Sequence, residues 1–451
     1  MITLGLKMTG KIPFKEVYCH SLVRDSEGRK MSKSLGNVID PLDVISGIKL
    51  EDLHEKLTQG NLHPSEVQKA TKYQKTAFPD GIPQCGADAL RFTMINASTG
   101  GGDINLDVKV IHAYRKFCNK IFQATKYVLG SLPQDFTPSK EGAARGKTLA
   151  ERWILHKMNT AAKEINQALA DREFSKSTIL VYRYWYGELC DVYIENSKAI
   201  IRDGTEEERN SAIQTLYTAL EAALTLIHPF MPFITEEMWQ RMPRRPDDNT
   251  KSIMLAKYTQ YNPILDDPES ETAYELVLGC TKAARSLMAE YSLKTDAEGK
   301  LISMPALFVN LLTTHKVIIQ AYNETSLQTC QNEVSSIKSL SGKAVKDMKV
   351  IGPDAPRPAG CVAYPVSTSA AVFLHVKGRV DIDAEITKAQ KKLDKAKATV
   401  QKQEKILADP GYVDKVSAAV QETDRQKLAD AKQEEHSFEE TIKQFEQLKL
   451  E

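Results

Sequence analysis

The sequence predicts a multidomain, mostly α-helical chain that includes a small α/β module and ends in an antiparallel coiled-coil hairpin. Three observations predict it. Apolar residues recur at spacings of three and four from residue 108 to about residue 292, as in Leu216, Leu220, Ala223 and Ile227. From Asp381 onward Ile386, Leu393, Val400 and Leu407 repeat every seven residues, with Ile382, Ala389 and Ala396 between them. At 451 residues the chain is also too long for one hydrophobic core.

Composition narrows the function classes. Lys and Arg number 60 against 59 Asp and Glu, so the net charge of +1 does not mark a nucleic-acid binder. Any such role must come from local segregation of charge. Seven scattered cysteines without a Cys-x-x-Cys pair exclude a disulfide scaffold and a zinc ribbon. They fit a reducing, cytoplasmic setting, with a mitochondrial role open as well. No apolar run reaches the ~18 residues that a membrane span needs. The opening Met1-Ile2-Thr3-Leu4-Gly5-Leu6-Lys7-Met8 lacks the basic start and cleavage-like site of a signal peptide. It reads as the tail of an element that begins elsewhere.

Residues 1–107 are mixed. Val17 to Val23 reads as a strand, Asp25-Ser26-Glu27-Gly28 as a turn, and Asp40-Pro41 as a helix cap followed by proline at the first helical position. Between the turn and the cap lies Lys30-Met31-Ser32-Lys33-Ser34, then Leu35-Gly36-Asn37. Flanking glycines let such a loop swing over a ligand. Its lysines are compact point charges that suit phosphate oxygens and can stabilise charge growing on a phosphate chain. The competing reading is a solvated basic turn. Short helices follow over Leu50–Thr58 and Ser65–Lys75, and another over Gly86–Met94. Gly100-Gly101-Gly102 lacks a following Gly-Lys-Ser/Thr, so it reads as a connector rather than a phosphate cradle.

Residues 108–299 read as an α-bundle. Its helices cover Val108–Leu129, Thr148–Leu169, Ser175–Ile201, Glu206–Ile227, Phe233–Arg241 and Glu269–Tyr291. The stretch Tyr182-Arg183-Tyr184-Trp185-Tyr186 is unusually aromatic. Arg183 and Trp185 are its candidate RNA contacts, since aromatic rings beside arginine stack on unpaired bases. Helical spacing favours the competing reading, a core stripe. His228, beside Pro229, reads as structural.

Residues 300–378 read as a small α/β module without chemistry of its own. Its strands cover Lys316–Tyr322, Val362–Val366 and Ala371–Val376, with helix from Ser326 to Leu340. Residues 379–451 are the hairpin. Asp409-Pro410-Gly411 breaks the heptads, and a second helix runs from about Val413 to Lys449 with Val413, Val416, Val420, Leu428, Ala431, Phe438, Ile442 and Phe445 on its seam. At ~1.5 Å per residue the arm is ~40 Å long. Lys388, Lys391, Lys395, Lys402 and Lys405 all fall at heptad positions c or f, away from the seam. That stripe suits a nucleic-acid backbone or is simply the solvated face of a coiled coil; the two readings stand level.

Lys-Met-Ser-Lys-Ser is the signature of class I aminoacyl-tRNA synthetases. With Leu4-Gly5-Leu6-Lys7, Thr9-Gly10-Lys11, Gly86 to Phe92, Asp103 to Leu106 and His228 to Trp239, the chain resembles, along essentially its whole length, the C-terminal portion of valyl-tRNA synthetases of the eukaryotic type. The terminal hairpin tilts the resemblance to valine over isoleucine and leucine. It implies that 1–107 ends a Rossmann-like catalytic domain, 108–299 binds the anticodon, 300–378 connects, and 379–451 is a tRNA-binding arm. In that family the valine carboxylate attacks the α-phosphate of ATP, which brings Mg2+ with it; the valyl group then passes to the terminal ribose of the tRNA. Carried over, Lys33 binds ATP phosphates, Lys30 is a second cation, Ser32 and Ser34 donate hydrogen bonds, and Met31 packs to hold the loop. No metal ligands and no membrane contact are implied. A His-Ile-Gly-His-type half-site and the editing domain do not occur in these residues. The expectation is therefore part of a ligase, unable to form valyl-adenylate alone. The alternatives are a stand-alone RNA-binding protein derived from such an enzyme, an isoleucyl-type relative, and a coiled-coil adaptor without RNA.

Overall fold

Two compact units make up the chain, Met1–Lys147 with Ile154–Asp266 and Thr148–Trp153 with Asp267–Glu451. The computed structural model describes residues 1–32, 37–59, 62–98, 102–140, 146–290, 315–342, 345–375, 382–409, 412, 416 and 418–450.

In the first unit, α1 (Ile2–Thr9) buries none of its residues and stops at Gly10, whose φ of +70° closes the helix. The strand expected over Val17–Val23 shrinks to β1, Val23–Arg24, paired in parallel with β2, Ile104–Asn105. β2 is only two residues long and pairs with Val23 and Arg24, and Val17, Tyr18 and Leu22 before them are exposed. Next come α2 (Pro41–Ser46), α3 (Leu50–Thr58), α4 (Pro64–Ala77) and α5 (Ala87–Asn96). Asp40 caps α2 by accepting from the Leu42 N–H at 2.9 Å, with Pro41 at the first position where no N–H is needed. Gly100 and Gly101 lie outside the described residues.

The helical bundle continues with α6 (Val108–Ser131), α7 (Leu149–Ala170), α8 (Phe174–Tyr182), α9 (Glu195–Asp203), α10 (Glu206–Ile227) and α11 (Pro232–Gln240). Between α8 and α9 the chain widens into π-helix from Arg183 to Ile194, where the sequence predicts an unbroken α-helix. A wide turn of this kind is uncommon and is not encoded by apolar spacing. α10 starts in a reciprocal capping box between Thr205 and Glu208 and is buried almost all round from Ala212 to Ile227, which makes it the central helix.

In the second unit, α12 (Pro268–Glu290) packs on a four-stranded sheet ordered β4-β3-β6-β5. The strands are β3 (His315–Ala321), β4 (Val345–Ile351), β5 (Cys361–Ser367) and β6 (Ala370–His375). β3 and β4 run parallel because α13 (Glu324–Asn332) and α14 (Val334–Ser341) carry the chain across; the other pairs are antiparallel. Cys361, Ala363, Ala371 and Phe373 form a buried cluster. β4 is absent from the sequence reading. It is an edge strand, and Lys346, Asp347 and Lys349 interrupt the apolar alternation that would have marked it.

Two long helices close the unit, α15 (Ile382–Leu407) and α16 (Ala418–Leu450). They run antiparallel, with Lys397 paired to Glu439 at 2.9 Å and Lys432 to Glu404 at 2.8 Å. Ala389, Leu393, Ala396 and Val400 are buried along α15. The seam of α16 departs from the heptad reading: Val420 is 45% exposed, whereas Ser437 and Thr441 are buried. Arg357 accounts for the burial of Ser437 and Thr441. Its guanidinium lies 5.2 Å over the Phe373 ring and donates to the Ser437 carbonyl at 3.2 Å and to Thr441 Oγ1 at 3.0 Å. This face of α16 is therefore polar because it docks on the sheet. Val413 lies outside the described residues.

Candidate functional site

The lysine-rich loop springs from a small polar lock. Asp25, fully buried, starts the turn that Gly28 completes at φ +78°, and Arg24 and Lys30 face each other across it. One Asp25 oxygen accepts the N–H groups of Glu27 at 3.1 Å and Arg29 at 2.8 Å; the other accepts Arg29 Nε and Asn37 Nδ2, both at 2.9 Å. Burial pushes the Asp25 carboxyl up, but the hydrogen bonds from Asn37 and Arg29 together outweigh it, so its pKa lies below the usual 3.8. Asn37 Nδ2 also donates to the Lys30 carbonyl at 3.3 Å, and Asn37 Oδ1 accepts the Ser32 N–H at 3.0 Å. Asn37 thus ties the outgoing stem of the loop to the returning one.

Around this lock Lys30 is exposed, while Met31 and Ser32 are half-buried. Lys33 and Ser34 lie outside the described residues. Sequence reasoning named Lys30 and Lys33 as site residues and did not name Asp25 or Asn37 among them. The only local signals were a turn-forming aspartate and an asparagine after Leu-Gly, neither of which discloses a bond twelve residues long.

In the bundle, the candidate Trp185 is corrected. Its side chain is fully buried, and its indole N–H donates to the Ala223 carbonyl at 2.9 Å, inside α10. Tyr184 is equally buried and donates to the Ala219 carbonyl at 3.0 Å. Both rings are core, with no face left for a base. Arg183 points the other way and stays half-exposed, but it pairs with Glu164 at 2.7 Å and approaches Glu188 at 3.6 Å. The outward ring of this stretch is Tyr186. It stacks on Tyr182 with centroids 5.3 Å apart, and Lys120 Nζ lies 3.7 Å from its centre. His228 is buried, with Nδ1 2.7 Å from Thr235 Oγ1, and desolvation holds its pKa below 6.5.

On α15 the five candidate lysines, Lys388, Lys391, Lys395, Lys402 and Lys405, are all exposed. At the near-sevenfold spacing they share the side of the helix opposite Leu393 and Val400. Among the described residues, no group of three or more His, Cys, Asp or Glu side chains could hold a metal ion, and no helix is long and apolar enough to cross a membrane.

Three family models match the chain in succession. Residues 1–107 match tRNA synthetases class I (I, L, M and V), and residues 151–303 match the anticodon-binding domain of tRNA ligase. Residues 381–446 match the valyl tRNA synthetase tRNA binding arm. The mitochondrial valine–tRNA ligase of Saccharomyces cerevisiae is 49% identical over 451 residues, all of this chain and 39% of that protein. The chain belongs to the valine–tRNA ligase family. The Homo sapiens valine–tRNA ligase is 40% identical over 99% of the chain and 34% of its own length. That of Schizosaccharomyces pombe is 53% identical over 66% of the chain and 30% of its own length. The chain therefore spans about two-fifths of the yeast ligase it matches. Among solved structures, the LeuRS-tRNA-LeuAMS ternary complex of Agrobacterium radiobacter K84 aligns over 59% of this chain and 27% of its own at 18% identity and a TM-score of 0.39, a likeness too slight to carry an argument. Within the valine–tRNA ligase frame, the Asp25–Asn37 lock falls in the class I match, the Tyr182–Tyr186 stretch in the anticodon-binding match, and the lysine stripe in the arm match.

Proposed function

We propose that this chain performs the tRNA-binding and loop functions of a valine–tRNA ligase, which joins valine to its tRNA with ATP and accompanying Mg2+ as substrates. The observation that carries this reading is identity of 49% sustained over the whole chain, from the lysine loop through the arm. Residues 1–107 then form the end of a Rossmann-like catalytic domain, with β1 and β2 as part of its parallel sheet. Residues 108–299 bind the anticodon stem-loop, 300–378 connect, and 379–451 form a coiled-coil arm for the tRNA backbone. The working compartment is the cytoplasm, with the mitochondrion, named for the yeast relative, as a second one.

In this reading Lys30 and Lys33 hold the phosphates of ATP, and their charge offsets the negative charge that gathers there as the carboxylate attacks. Ser32 and Ser34 donate to the same oxygens, and Met31 packs behind them. Asn37 holds the Lys30 carbonyl and the Ser32 N–H at the foot of the loop. On the tRNA side, Arg183 contacts the backbone. Tyr186, partly exposed, takes the stacking role expected of Trp185 when a base displaces the Lys120 ammonium from its face. The five lysines of α15 neutralise phosphates, which makes affinity fall with salt.

The arm is tested by binding tRNA transcripts to the chain across a salt series. Replacing Lys388, Lys391, Lys395, Lys402 and Lys405 together by glutamine is expected to lower the log–log salt slope by about 3–4. Binding with an unchanged slope would remove the arm's role, and equal affinity for unrelated RNA would remove the valine–tRNA assignment.

A further inference from the structure

α11 has a start that it cannot satisfy by itself. An α-helix leaves the N–H groups of its first turn without intrahelical partners, and an Asp, Asn, Ser or Thr just before it normally accepts one or two of them. Here the preceding residue is Met231, which provides no side-chain cap, and Pro232 at the first position has no N–H. The acceptors come from far away in the sequence. Asp88, in the first turn of α5, takes the Phe233 N–H at 3.2 Å on one oxygen and the Ile234 N–H at 2.7 Å on the other. One turn along α5, Arg91 donates to the Pro229 carbonyl at 3.1 Å. A carboxylate thus holds the donors that open α11, and a guanidinium holds an acceptor just before it. Phe92, between these prongs and the bundle, is buried against Phe230, Tyr114 and Phe117.

α5 is also fastened at both its ends. Its last turn is held by α8, where Ser175 Oγ donates to the Asn96 carbonyl at 2.6 Å and Asn96 Nδ2 donates to Thr178 Oγ1 at 2.9 Å. Its entry is held by α2: the Cys85 N–H donates to the Val44 carbonyl at 3.0 Å and the Gly86 N–H to the Ile45 carbonyl at 3.2 Å. α2 begins at Pro41, directly after the Asn37 side of the lysine loop. A path of covalent chain, from Asn37 into α2, and then of hydrogen bonds therefore runs from the foot of the loop, through α2 and α5, to the first turn of α11.

We propose that Asp88 is a positioning residue that caps α11 from outside that helix, and that with Arg91 it fixes the loop-bearing segment and the helical bundle as one body. Asp88 touches no substrate in this assignment. It acts through α5 and α2, so that a displacement of the bundle is passed to the foot of the lysine loop. Only that last consequence rests on the tRNA-binding reading above; the joint itself does not.

Amide hydrogen exchange on the full chain tests the joint without any ligand. Asp88→Asn retains the shape and one acceptor but turns an N–H donor toward the backbone donors of α11. It is expected to speed exchange at Phe233 and Ile234 by on the order of tenfold, and exchange at Cys85 and Gly86 in the same direction, with the core of α6 unchanged. Arg91→Gln, which removes only the second prong, is expected to give the same pattern with a smaller amplitude; it keeps the test available should Asp88→Asn fail to fold. Faster exchange confined to Phe233 and Ile234 would overturn the proposal, because the cap would then be local. Equal acceleration in α6 would also overturn it, since Asp88 would then serve overall stability alone. A second arm adds a tRNA transcript. The expected result is altered exchange in the bundle and at Asp25–Ser32 in the unmodified chain, with the response at Asp25–Ser32 abolished by Asp88→Asn. Persistence of that response in the variant would overturn the proposal. An absence of any response in the bundle would instead count against tRNA binding, leaving the ligand-free arm to decide the joint.

Discussion

In the bundle, the turn from Tyr182 to Tyr186 puts Tyr184 and Trp185 wholly inside, bonded to the carbonyls of α10, while Tyr186 stays partly exposed between Tyr182 and Lys120. In the hairpin, all five lysines of the α15 stripe face water. Both stretches carry the residue types that bind RNA, yet the fold uses them in opposite ways. Aromatic rings gain free energy from burial and from stacking on bases alike, so their presence alone does not tell which is used. An ammonium is very costly to bury unpaired, so lysines at the outer heptad positions have one stable placement. The difference teaches which kind of residue can be placed from sequence and which waits for the fold.

Truncation would test the contrast most severely at Trp185. Trp185→Ala is expected to cost about 3–5 kcal/mol in urea unfolding, because it removes a buried ring and the indole hydrogen bond to the Ala223 carbonyl. If stability held and RNA binding fell instead, the core assignment would be broken. In the hairpin, Leu393→Ala is expected to cost less, about 2–3 kcal/mol, since a two-helix seam relaxes around a cavity more readily than a bundle interior. A loss larger than that of Trp185→Ala would reverse the order of the two regions.

A smaller effect is expected at the loop lock, read through pH. The Asp25 carboxyl has a pKa below its usual 3.8, so its contribution is fully present above about pH 4 and is lost as pH falls through the lowered folded value. Exchange at the Arg29 amide should quicken below pH 3.8, relative to the intrinsic rate, before the bundle amides respond. Simultaneous loss in both places would mean that the lock is no separate unit. The smallest effect is expected for Lys395→Ala, within about 0.5 kcal/mol in thermal unfolding, as suits a solvated surface position. A substantial loss there would show that the stripe is structural.

Much of the chain was legible because its signals are local. The Asp40-Pro41 cap is an arrangement of neighbours, and the bounds of α3 follow from a short amphipathic run. The burial of Leu393 and Val400, like the exposure of the lysines, follows from a seven-residue repeat and the cost of desolvating charge. Other features depend on which distant segments meet. The Asp25–Asn37 lock, the Asp88 cap on α11, the edge strand β4 and the polar docking face of α16 under Arg357 each join groups whose own neighbourhoods are unremarkable. The residues by themselves determined most of the helices, the Asp40 cap and the solvated face of α15. Only the tertiary structure decided that Trp185 is core and that Asp88 serves another helix, because a hydrogen bond is specified by two partners and one-dimensional spacing describes only one of them.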